Sequence, residues 1–253
     1  SVHKNDSYTA LYARATFLMG MIPMEHEYKV MGMAPYGNPK RSKPITDKLL
    51  DLFVWSNDTP LQWKRKKGLH PTNTWFSILQ NLFKYKRFDD ISLAMQDFVE
   101  KMTLRWIKNC IRTTGIDDLV LSGGLFMNVK LSQKILELKE VKNLYVMPSC
   151  SDESNSFGAA YFCHVTRSKK PISPLTHLYL GPFFQNNIIK DSVNSYKYSN
   201  PVLIEKYDDV EEKISDLLFQ GEIVARYSGR EEFGARALGN RSILSDPSKL
   251  ENI

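Results

Sequence analysis

The sequence predicts an α/β protein built in two units. Two successions of buried strand, loop and amphipathic helix predict the first, beginning at Leu119 and at Leu144. A proline-punctuated stretch from Pro171 to Pro182, followed by a fresh helix and strand after Val202, predicts the second.

In chain order, residues 1–24 alternate small and apolar groups and suggest a strand-turn-helix entry. Gly32 to Pro39 reads as loop, because Pro35, Gly37 and Pro39 interrupt regular structure. Ile45, Leu49, Leu52 and Phe53 place a short helix over 44–56, and a polar connection runs on to about residue 74. The strongest helix spans roughly 90–112, where Ile91, Met95, Phe98, Met102, Leu104 and Trp106 recur near a 3.6-residue period, and Gly115 ends it. Leu119-Val120-Leu121 is a buried strand. Met127, Leu131, Ile135 and Leu138 share one face of the helix that follows. Leu144 to Met147 is a second buried strand, Pro148 to Asn155 a loop, and a helix begins near Ser156. Beyond the prolines, Val210, Ile214, Leu217 and Leu218 mark a helix over 209–219. Ile223 to Tyr227 is a strand.

Bulk properties narrow the function classes. A hydrophobic share of 42% in 253 residues suits a globular protein with room for two domains. No apolar run approaches the ~20 residues of a membrane span, and no signal-peptide core follows Ser1 to Asp6. Cys110, Cys150 and Cys163 form no Cys-x-x-Cys pair, which predicts reduced thiols and a cytoplasmic protein. The net charge of +6 brings nucleic acid into question. The basic residues are scattered, however, as in Lys40-Arg41, Lys64 to Lys67 and Lys169-Lys170. Solvated faces account for them, and neither nucleic acid nor membrane is an expected partner.

Four segments carry candidate chemistry. Ser122-Gly123-Gly124 with Asn128 lies between a strand and a helix, where backbone amides can meet a nucleotide; taken alone, a ligand-free tight turn is the default reading. Asp152, in Ser149 to Asn155, can ligate a hard cation or cap the next helix. Lys29, ahead of Gly32-Met33-Ala34-Pro35-Tyr36-Gly37, can reach a phosphate or remain a surface lysine. The run Gly229 to Ser242 sets Arg230, Arg236 and Arg241 among three glycines directly after a strand. That suits an anion, because arginine forks match phosphate oxygens. Its structural alternative is a charged loop with an ion pair such as Arg236 to Glu232. The five histidines have no metal-ligand spacing.

In this order the four segments resemble the carbamoyltransferase family of nodulation protein NodU, CmcH and TobZ. The matching stretches are Tyr28 to Gly37, Leu121 to Asn128, Asp152 to Ala160, and Gly229 to Leu244, with Leu180-Gly181-Pro182 resembling the interdomain segment. The resemblance implies the second half of an actin/sugar-kinase/heat-shock ATPase-like domain over 1–178. A linker over 179–201 and the start of a YrdC-like α/β domain over 202–253 follow. It implies that carbamoyl phosphate and ATP yield carbamoyl adenylate, and that the carbamoyl group then passes to a hydroxyl of a sugar or natural product. By motif position, Arg230, Arg236 and Arg241 serve catalysis, with Asn240 and Ser242 beside them. Ser122, Gly123, Gly124, Asn128 and Asn155 line the adenylate site of the first domain. Asp152 falls at the family's metal-ligand aspartate, for iron or a similar divalent ion completed by upstream histidines. Ala235 replaces the family's usual proline, and Ser154 its usual glycine. The resemblance further implies an internal fragment of a longer enzyme, inactive alone. Two other readings share these folds: a sugar-kinase-like ATPase, which leaves the arginines idle, and a tRNA threonylcarbamoylation protein.

Overall fold

The structure is a computed structural model that describes residues 3–56, 58–249 and 252. Ser1 and Val2, at the start of the stretch read as lacking a signal core, lie outside them. The chain divides after Asp152 into two compact units.

The first unit is mainly helical. A one-turn 3-10 helix at Lys4–Asp6 leads into α1 (Thr9–Leu18), so the expected N-terminal strand is replaced by helix. Tyr8, Leu11, Tyr12 and Ala15 turn the hydrophobic face of this segment into the core. α2 (Glu27–Met33) runs directly into a 3-10 turn at Ala34–Tyr36. The expected loop over Gly32 to Pro39 is therefore mostly helical. Pro35 sits in the first turn of its helix and Pro39 opens α3 (Pro39–Asp51), positions where a missing N–H costs nothing. Asn38 caps α3 by accepting from the Lys40 amide at 2.9 Å.

β1 (Phe53–Trp55) replaces the end of the helix expected over 44–56 and forms an antiparallel hairpin with β2 (Trp63–Arg65), which lies in the stretch read as a polar connection. Trp55 and Trp63 face each other across it, ring centroids 5.3 Å apart. α4 (Phe76–Phe83) precedes the long α5 (Phe88–Thr114), which matches the periodicity and ends where Gly115 adopts φ +69°. Ala94, Met95, Phe98 and Val99 of α5 are fully buried and form the spine of the core. Phe98 meets the rings of Tyr8 and Phe53 at 6.1 and 5.8 Å.

The remainder of the unit is a parallel strand pair with a helical crossover. β3 (Asp118–Leu121) pairs with β4 (Asn143–Val146), Leu121 opposite Val146. Between them lie a 3-10 turn at Gly124–Met127 and α6 (Val129–Leu136), whose Leu131 and Ile135 are fully buried. Parallel strands require such a crossover, and their carboxyl ends are the usual place for a ligand.

The second unit holds α7 (Asn155–Ser168), α8 (Asn186–Ser195), α9 (Val210–Gln220), β5 (Val224–Tyr227) and β6 (Arg241–Leu244). α8 lies within the stretch expected as linker. β5 and β6 are antiparallel, with Tyr227 opposite Arg241. The arginine-rich run is therefore the loop of a long hairpin, closed by Ser228 N donating to Asn240 O at 2.9 Å. Leu178 to Gly181 dock on this loop: Phe233 N donates to Leu178 O at 2.8 Å and Gly181 N to Glu231 O at 3.0 Å. Only glycine suits position 181, since an added Cβ would lie 2.6 Å from the Cβ of Glu231.

Candidate functional site

In the first unit the two loops at the carboxyl ends of β3 and β4 are tied together. Gly123 N donates to Cys150 O at 2.7 Å, and the Cys150 thiol reaches back to Gly123 O at 3.4 Å. Gly123 sits at φ +108°, a conformation glycine adopts without strain. Ser122, Gly123 and Gly124 are solvent-exposed, so the loop presents open backbone to an approaching ligand. Asp152, also exposed, follows two residues after Cys150 and opens a 3-10 turn. The cap position of α7 belongs to Ser154, so Asp152 is not the helix cap that its spacing allowed.

Asn128 is fixed from two sides. Its Oδ1 accepts from Leu131 N at 3.0 Å, capping α6, and from Gln96 Nε2 at 3.1 Å. Its Nδ2 donates to Gln96 Oε1 at 2.8 Å. Gln96 also accepts from the Tyr12 hydroxyl at 3.1 Å and donates to Glu100 at 2.8 Å. The buried Gln96 amide thus uses two donor and two acceptor positions, which specifies its orientation. Glu100, buried, pairs in turn with Lys134 of α6. Burial, then the charges of Glu27 and Glu100, raises the Tyr12 hydroxyl far above its ordinary range, so it remains a donor.

Sequence reasoning singled out Asn128 but not its partner Gln96. The apolar period of α5 did single out its neighbours, and a buried glutamine on that face was the available signal. Beside this network lies an open cleft of about 260 Å³, with Met31, Ala34 and Pro35 on one wall and Asp97, Lys130 and Lys134 on others. Burial raises the Asp97 carboxyl, with the Lys101 charge opposing it. The Gly32 to Gly37 motif acts through packing as well: a Cβ on Gly37 would lie 2.5 Å from Asp89 O and 2.6 Å from Leu93 Cβ. Lys29 is exposed, its ammonium 5.9 Å from the Tyr28 ring centre.

In the second unit the expected ion pair has a different partner. Glu232 pairs with Arg241, Nε to Oε2 at 2.9 Å. Three backbone N–H groups, from Leu238, Asn240 and Arg241, converge on Glu232 Oε1. Burial would raise this carboxyl, but the hydrogen bonds from Arg241 and from the backbone outweigh it and hold Glu232 well below the usual carboxylate range. Arg230 Nη1 donates to Gly181 O at 2.8 Å, and Asn240 Nδ2 to Arg230 O at 2.7 Å. Arg236 is exposed on the same loop, and Ser242 lies on β6. The candidate residues therefore fall into two groups: Ser122 to Asn128 with Asp152 in the first unit, and Arg230 to Ser242 with Asn155 in the second.

Among the described residues no three His, Cys, Asp or Glu side chains are grouped to hold a metal. Asp152 alone does not make a donor set. No helix among them is long and apolar enough to cross a membrane.

Comparison with known proteins matches two family models, the first of which runs past Asp152 and takes in Asn155. A family model described as Carbamoyltransferase N-terminus matches residues 1–161, and one described as Carbamoyltransferase C-terminus matches 215–252. The chain is similar to the uncharacterised protein sll1178 of Synechocystis, 31% identical over 97% of this chain and 42% of that protein. It is similar to nodulation protein NolO of Bradyrhizobium diazoefficiens, 28% identical over 90% of this chain and 41% of that protein. It is also similar to nodulation protein NolNO of Sinorhizobium fredii, 28% identical over 98% of this chain and 36% of that protein. The chain spans less than half the length of each of these relatives. With more than half its residues matched by the N-terminal family model, the chain belongs to the carbamoyltransferase family.

Proposed function

We propose that this chain serves an O-carbamoyltransferase: carbamoyl phosphate gives up inorganic phosphate, the carbamoyl group is joined to the α-phosphate of ATP as pyrophosphate leaves, and the carbamoyl adenylate so formed passes its carbamoyl group to an acceptor hydroxyl with release of AMP. The observation that carries the reading is the presence of both family halves on one chain, the second containing the arginine loop. Residues 1–178 then belong to an ATPase-like domain that performs the transfer, and 202–253 open a YrdC-like domain that forms the adenylate.

The residues suit these roles. Arg230 and Arg236 concentrate positive charge on one hairpin loop, where it neutralises phosphate groups and the charge that develops during transfer, and Arg241 holds the end of that loop through its pair with Glu232. Ser122, Gly123 and Gly124 offer exposed backbone at the end of a parallel strand, and Asn128 holds the start of the next helix in register with them. Asn155, at the first turn of α7, and Asn240 and Ser242 complete the nucleotide contacts. A metal at Asp152 requires donors beyond the described residues, and no step is routed through one.

The test uses the full-length protein containing this chain, with carbamoyl phosphate labelled in its carbamoyl carbon. Label passing to a hydroxyl acceptor, dependent on ATP and accompanied by AMP, is the expected result. In a parallel reaction with ATP labelled in its terminal phosphate, label passing to the acceptor would instead establish the kinase-like reading.

A further inference from the structure

The hairpin loop that reads as an anion site already holds an anion. Leu238 N, Asn240 N and Arg241 N donate to Glu232 Oε1 at 2.9, 2.6 and 3.0 Å. Arg241 Nε donates to Oε2 at 2.9 Å, and its Nη2 to the Glu232 carbonyl at 2.7 Å. The Glu232 side chain is fully enclosed. Gly234 and Gly239, at φ +107° and +109°, let the backbone curl around it. Backbone N–H groups that converge on one oxygen are how proteins hold phosphate; here the oxygen is the chain's own. A loop shaped in advance spares its ligand the cost of ordering it. Arg230 depends on the same shape, because its carbonyl accepts from Asn240 and its guanidinium is held by Gly181 O.

We propose that Glu232 is the positioning residue of the arginine loop, holding its backbone in the shape in which Arg230 and Arg236 meet carbamoyl phosphate, and that Arg241 acts through Glu232 rather than on the ligand. This rests on the carbamoyl-transfer reading above.

Hydrogen exchange on the ligand-free, full-length protein tests the shape alone. The Leu238, Asn240 and Arg241 amides are protected in the wild type and exchange at least tenfold faster in Glu232→Gln. Unprotected amides in the wild type overturn the proposal. Carbamoyl phosphate titration then separates the roles. Glu232→Gln and Arg241→Gln each weaken binding about tenfold or more, and the double variant binds no worse than the weaker single. Losses that multiply in the double variant place Arg241 on the ligand and overturn the proposal. In turnover, Glu232→Gln raises KM for carbamoyl phosphate and leaves KM for the hydroxyl acceptor unchanged; an equal rise in both overturns it. If Glu232→Gln does not fold, Arg241→Lys decides: it keeps the charge but loses the fork. Weakening comparable to Arg241→Gln is expected, and full retention overturns the proposal. A wild type with protected amides that does not bind carbamoyl phosphate overturns the functional reading as well. Wild-type binding with multiplying losses overturns this proposal alone.

Discussion

The two units are stabilised by different physics. In the first, α5 lays Ala94, Met95, Phe98 and Val99 against α1, the β1–β2 hairpin and α6, and among the described residues every buried polar side chain but Thr72 is paired around this apolar mass. In the second, Leu178 is the one buried hydrophobic residue and Glu232 the one buried polar residue among those described. The first unit is specified by packing. The arginine loop of the second is specified by donors gathered on a carboxylate. Packing tolerates volume-conserving change, whereas a hydrogen-bonded hub depends on one particular group.

Substitutions can break or sharpen that contrast. The largest effect is expected at Phe98. Phe98→Ala costs the first unit about 3–5 kcal/mol in urea unfolding through the cavity it leaves, while exchange at the Leu238 and Asn240 amides stays unchanged. Equal loosening of both units would end the distinction. Gly37→Ala comes next, at about 1–3 kcal/mol, because its Cβ has no room beside Asp89 O and Leu93; an unchanged urea midpoint would show that α5 yields there. Asn128→Ala removes a cap and is expected to cost about 1–2 kcal/mol, again in the first unit alone. Pairing it with Gln96→Ala should give less than the sum, since the two amides bond each other.

The smallest effect is a pH dependence. The hydrogen bond from Arg41 lowers the Asp90 carboxyl, with burial opposing and the Asn38 amide assisting. A carboxyl lowered on folding contributes stability above its unfolded value, near ~4, and that contribution is lost as pH falls through the folded value. Asp90→Asn should therefore flatten the fall in urea midpoint of the first unit below about pH 4. An identical slope in variant and wild type would remove Asp90 from the acid response.

How much was legible in the sequence follows from the same contrast. α5 and α6 were readable because each buries a periodic apolar face; β3 and β4 were readable as strands from their apolar runs but are not buried as expected, since of the two only Leu121 is buried while Val120 and Tyr145 are exposed. β1 and β2 were not: each is three residues long, and their signal is a Trp pair joined only across the turn. α8 was missed because Asn186-Asn187 and Asp191 to Ser195 dilute its two isoleucines. At the site, Asn128 stood out by its place after Gly123-Gly124. Its partner Gln96 lies 32 residues away on another helix, which no local pattern connects. Glu231 and Glu232 are adjacent and chemically identical, and only the curl of the loop decides which one turns inward.

The cysteines follow the same partition. All three remain thiols: Cys150 is buried at the β3–β4 loops, Cys110 half-covered on α5, and Cys163 exposed on α7. A single alkylating reagent therefore keeps two clocks in one molecule. Cys163 is modified as fast as the reagent reaches α7, while Cys150 is modified only when the contact between Gly123 and Cys150 opens. The ratio of the two labelling rates, read by mass spectrometry, measures how often the glycine loop breathes without any engineered probe.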